Sequence, residues 1–160
     1  MTNSTEVKRR SEVMREFVNG LLKTSKRLLC RDGVVNSIAM LHNSNTQETT
    51  FVAMPFKDTH EKALMSSALR SLVHKFGADI VVYVGEAWMI IQKKDKELPK
   101  DIPKRSDIIV VCGVTADDTY SLVQPFLKEG DQYIFQEVQE QKTTLFNRFV
   151  GDLWTTKTIN

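Results

Sequence analysis

Residues that staple small proteins or carry familiar chemistry are scarce in this chain. Cysteine occurs only twice, as Cys30 and Cys112. A disulfide framework and a Cys-x-x-Cys metal or redox motif are therefore excluded. Cys30 ends a helical pattern and Cys112 sits in an apolar strand pattern. Both read as small buried hydrophobes suited to a reducing cytoplasm, with a Cys30–Cys112 disulfide as the alternative. Histidine occurs three times, as His42, His60 and His74, with no i,i+4 pair to hold a metal from one helix face. Gly-x-Ser-x-Gly, Gly-x-Gly-x-x-Gly and the P-loop are all missing, which argues against the common hydrolase and nucleotide sites. No 18-residue apolar run is present and the first residues are polar, so neither a membrane span nor a secretory signal is expected. The net charge of +2 is too small to imply nucleic acid by itself.

What is present fits one soluble domain. The 160 residues are 41% hydrophobic and 26% charged, enough to bury a core without a staple. We expect a single domain over 1–160, with 1–4 and 155–160 frayed. Charge is uneven: residues 1–31 hold eight basic and three acidic side chains, whereas the remainder is mildly acidic. From Thr5 to Cys30, Met14, Phe17, Val18, Leu21, Leu22, Leu28 and Leu29 recur at spacings of three and four, with Ser25 in the gap. That is one stripe of an amphipathic helix, stopped by a cap at Gly33. Such a helix outruns a small sheet, so part of its stripe is expected to face another molecule.

Val34–His42 and Thr49–Phe56 read as a hairpin around the turn-rich NSNTQE, with Pro55 at a strand end or edge. A second helix, capped by Asp58 or Thr59, carries Leu64, Met65, Ala68, Leu69, Leu72, Val73 and Phe76 and ends at Gly77. VVYVGEAWMII follows, interrupted by Gly85 and Glu86. On strict alternation Glu86 would lie between Val84 and Trp88 on an apolar face, so a bulge at Gly85 is expected to move it to the wet side. KKDKELPKDIPKR supplies an exposed polar loop over 93–106. Asp107–Thr115 reads as a central strand. Two more strands bracket KEGD, the first made an edge or irregular strand by Pro125. Leu145, Phe146, Phe149, Val150, Leu153 and Trp154 return to helical spacing. The fold class is therefore α+β: a mainly antiparallel sheet of about five or six strands, a long N-terminal helix, a second helix and a short C-terminal helix. This element order is similar to the roadblock and profilin-like families.

Three functions compete. Glu86 and Asp107, with His42, are candidate acids and base of a metal-dependent hydrolase or nuclease. Such sites place an acid and a lysine on alternate strand residues, and Glu86-Ala87-Trp88 puts tryptophan where the lysine belongs. The basic helix (Lys8, Arg9, Arg10, Arg15, Lys26 and Arg27) and the 93–105 loop with Lys104 and Arg105 are candidates for nucleic acid or another polyanion, against their reading as solvated faces. Glu86-Ala87-Trp88 with the Pro103/Arg105 link resembles small uncharacterised prokaryotic and phage proteins, which implies an accessory protein without a familiar active site. The leading expectation is a non-enzymatic interaction module working through protein contacts, a homo-oligomer whose partner is another protein or itself as a homodimer. Its candidate contact residues are Phe17, Leu21, Arg15, Lys26, Arg27, Glu86, Trp88, Lys104 and Arg105. No catalytic, metal-ligating or cofactor-binding residue is assigned.

Overall fold

The computed structural model describes residues 4–54, 59–90, 105–141 and 153–154. Among these, helix α1 (Ser4–Asp32) is followed by β1 (Ile38–Asn43), β2 (Glu48–Ala53), α2 (Thr59–Phe76), β3 (Ile80–Ile90), β4 (Arg105–Val114), β5 (Thr119–Glu129), β6 (Gln132–Phe135) and β7 (Gln139–Gln141). All strand pairs are antiparallel, in the order β2-β1-β3-β4-β5-β6, with β7 also on β5. The α+β class with an antiparallel sheet is thus the observed one.

Alternation along the strands makes two cores. Ile80, Val82 and Val84 of β3, with Ile109 and Val111 of β4, face α1, where Met14, Val18, Leu22 and Leu29 are buried. Val81, Cys112 and Val114 face the other way, toward Leu69 and Val73 of α2 and toward Leu153. The 29 residues of α1 span roughly 44 Å. Its stripe is nonetheless spent on its own sheet: it packs across β3, β4 and β5. Phe17 and Leu21 are half-buried against the same core. The expectation that part of the α1 stripe faces outward is corrected by this packing.

The helix ends are those the glycines announce. Gly33 (φ 75°) donates its N–H to Leu29 O at 2.8 Å. Gly77 (φ 71°) and Ala78 donate to His74 O and Val73 O, closing a Schellman motif. Gly113 has a different role. A Cβ there would stand 2.6 Å from Val18 Cγ2 and closer still to Met14 Sδ, so its bare backbone is what lets α1 lie this near β4.

Three expectations are corrected. First, β3 has no bulge at Gly85: it pairs with β4 one for one from Val81↔Val114 to Ile90↔Arg105. Gly85 instead makes room for the Tyr83 ring, whose hydroxyl would be 2.6 Å from an added Cβ. Second, the bulge lies opposite Pro125. Phe126 pairs with Phe135 and Val123 with Gln139, so the partner strand advances four residues for three on β5. Pro125 is therefore in a strand flanked on both sides, and irregularity at its neighbour absorbs the missing donor. The buried Gln124 clamps the break, its Nε2 donating to Pro125 O at 2.9 Å and Gln136 O at 2.6 Å. Third, Cys30 is exposed, against its reading as a buried hydrophobe, while Cys112 is buried, and the two do not form a disulfide. Of the expected C-terminal helix only Leu153 and Trp154 fall within the described residues, as a turn. Pro55, Asp58, Lys104 and the loop from 93 to 104 lie outside them, while Arg105 and Ser106 already belong to β4.

Candidate functional site

Polar side chains gather at one end of the sheet, where α1 begins, β1 turns into β2, α2 gives way to β3, and β4 turns into β5. Asp79 is the hub. Its Oδ1 accepts from Ser44 N at 3.0 Å and Ser44 Oγ at 2.9 Å, and its Oδ2 accepts from Arg10 Nε at 3.1 Å. Its own N–H donates to His42 O at 3.0 Å. One carboxylate thereby ties the first helix, the first hairpin and the third strand. Arg10 also reaches Asp117 Oδ2 at 3.7 Å. Next to it, Asp118 takes Arg15 at 3.6 Å and accepts the Ser11 hydroxyl. The Asp118 backbone is fixed by Thr115, whose Oγ1 accepts the Asp118 N–H at 3.0 Å and whose N–H donates to Asp118 O at 2.9 Å.

A cavity of about 280 Å³ opens beside this hub, lined by Glu6, Arg9, Arg10, Val13, His42, Ser44, Asn45, Gln47 and Asp79. His42 is 5% exposed; its Nδ1 meets Thr49 Oγ1 at 2.8 Å and its ring stands edge-on to Phe17 at 4.9 Å. Glu6 and Arg9 line the cavity without an ion pair among the described residues. Acids and bases otherwise satisfy one another here, and the arrangement works as a clamp that seats α1.

The sequence candidates do not all converge on this place. Arg15 is spent on Asp118 and lies 4.7 Å over the Tyr120 ring. Lys26 lies 4.6 Å over Phe135. Arg27 is exposed. The basic helix is thus partly engaged with the body of the same chain, whose aspartates and rings take up several of the cations counted for a polyanion. Glu86 is exposed on the α1 face of β3, opposite Ile109. Asp107 is half-buried on β4 and pairs with Trp88, so the two acids are diagonal neighbours on one face, remote from His42 at the other end of β3. No group of three metal-capable side chains occurs among the described residues. Sequence reading missed the Arg10–Asp79–Asp117 convergence. Only the short GAD and ADD segments at the strand ends hinted at it.

A family model described as Bacteriophage lambda protein ea47 matches residues 1–154. The chain belongs to that family. The likeness to phage proteins is therefore shown at the level of the ea47 family. No curated protein and no solved structure matches the chain. A likeness to roadblock or profilin-like folds is not shown by these comparisons.

Proposed function

We propose that this ea47-family chain is a non-enzymatic phage accessory protein that acts in the host cytoplasm through protein–protein contacts, beginning with its own self-association. The observation that carries this reading is an aromatic ring left outside a complete core. Phe51 on β2 is 57% exposed although both sheet faces already have buried clusters. Aromatic side chains are enriched at contact surfaces, and two-fold dimers are the commonest outcome. The residue that favours it differs from those the sequence pointed to: Phe51 lies on β2 rather than on α1. Sedimentation velocity from low to high micromolar concentration tests the reading. A concentration-dependent dimer is expected, and a monomer throughout would count against it.

A further inference from the structure

We infer that β2 is the dimerisation element, pairing antiparallel with β2 of a second copy about a two-fold axis at Phe51. This rests on the reading of the protein as self-associating and names the surface. β2 ends the strand order, with β1 as its one sheet neighbour among the described residues. The Met54 N–H donates to Ser37 O at 2.9 Å, one rung beyond the Ile38↔Ala53 pair. In an antiparallel ladder, inward and outward backbone groups alternate. Val52 and Thr50 therefore point to β1, and the N–H and C=O groups of Thr49, Phe51 and Ala53 point to the open edge. A second copy centred on Phe51 sets Phe51 against Phe51, Thr49 against Ala53 and Ala53 against Thr49. That single register gives a partner to every outward group of the three residues.

The side chains agree with this register. Natural sheets protect edges with Lys, Pro, bulges or very short strands. The opposite edge is of that type: β6 has four residues, β7 is the three-residue Gln-Glu-Gln, and a bulge separates them. β2 runs Glu-Thr-Thr-Phe-Val-Ala, with one charge at its start and no lysine or proline among its six residues. In the Phe51-centred pairing the two Glu48 carboxylates fall at opposite ends, so like charges do not meet. The exposed Phe51 rings become a cross-strand aromatic pair. Self-complementarity of hydrogen bonds, charge and side chains together favours a second copy over an unrelated strand.

The test uses the full chain and three variants. Phe51→Lys puts two ammonium groups face to face and is expected to weaken dimerisation at least about 30-fold, as for loss of an aromatic hot spot. Ala53→Pro removes an outward N–H, a change edge strands tolerate without loss of fold, and is expected to weaken it as well. Leu64→Lys on α2 should leave the dimer intact. In parallel, amide exchange of Phe51 and Ala53 should slow as concentration rises. Thermal melting of dilute protein checks that each variant is folded. A dimer that survives Phe51→Lys and Ala53→Pro, or one broken by Leu64→Lys without amide protection on β2, overturns the β2 assignment and leaves the self-association reading standing. A wild-type monomer at high micromolar concentration overturns both.

Discussion

The two faces of the sheet are covered in different ways. On one face α1 lies against β3, β4 and β5, close enough that Gly113 has no room for a Cβ. Met14, Val18, Leu22, Ser25 and Leu29 are all buried along it. On the other face α2 buries Leu69 and Val73 but leaves Leu64 and Leu72 exposed. There the cover is shared with the chain end: Leu153 is buried, and Trp154 Nε1–H donates to Ala78 O at 2.7 Å. Arg10, Ser11 and Arg15 of α1 are held by aspartates at the sheet's end. Similar helical patterns in the sequence thus produce one deeply seated helix and one lightly seated helix. Proximity of backbone separates them, more than the number of leucines.

Overfilling the tight face should have the largest effect. Gly113→Val brings branched carbons into Met14 and Val18, and we expect a loss of about 3 kcal/mol or more, since overpacking a close interface costs typically 1–3 kcal/mol and exceeds that where backbone must move. Urea unfolding measures it; a loss below about 1 kcal/mol would show that α1 is loosely held. Matched truncations come next. Met14→Ala should cost about 3–4 kcal/mol and Leu69→Ala about 2–3 kcal/mol, because the lightly seated helix can collapse into the space left. Equal losses would erase the contrast between the faces.

Much of this contrast was legible only in half. The α1 stripe, the Gly33 and Gly77 caps and the strand order were readable, because each follows from local spacing or from a backbone angle that glycine adopts. How near a helix comes to its sheet was not. Gly113 reads as an ordinary break in an apolar run, and its meaning lies in residues nearly a hundred positions earlier. Glu86 shows the same limit. Alternation assigns its face correctly, but not where the cover ends: β1 pairs with β3 only as far as Val84, and Glu86 just beyond it is exposed. A bulge was invoked to solve a burial problem that does not exist. The polar hub was hidden for a related reason, since Arg10 and Asp79 are 69 positions apart and Ser11 and Asp118 are 107 apart. No window of the sequence contains both partners.

Tyr83 gives an effect of intermediate size and asks whether the α2 face is wet throughout. Burial pushes its phenol above the ordinary value, partly offset by a hydrogen bond with Ser37, with Cys112 adding a small push in the same direction. The folded state therefore prefers the neutral phenol. Stability is unaffected below the unfolded value near 10 and falls as pH rises through the higher folded value. The Tyr83→Phe variant should lose a late-titrating component at 295 nm and unfold less readily at high pH than the parent. Gly85→Ala, which crowds the Tyr83 hydroxyl, should move that component toward the ordinary range. If Tyr83 titrates with the ordinary phenols, the α2 face is open at its centre as well as at its rim.

The smallest effect is expected on the outer surface of α2. Leu64→Lys replaces an apolar group that is 58% exposed by a residue of comparable helix propensity. Exposed substitutions away from caps and cavities stay within about 0.5 kcal/mol, and we expect the same here in dilute, monomeric protein. The result is informative in either direction. A change that small means that the chain itself leaves the leucine uncovered, so the lightly seated face owes its stability to Leu69, Val73, Leu153 and Trp154. A loss above about 1 kcal/mol at the same dilution would mean that Leu64 contributes to the chain's own core. The difference between the faces would then be one of packing density and no longer one of cover.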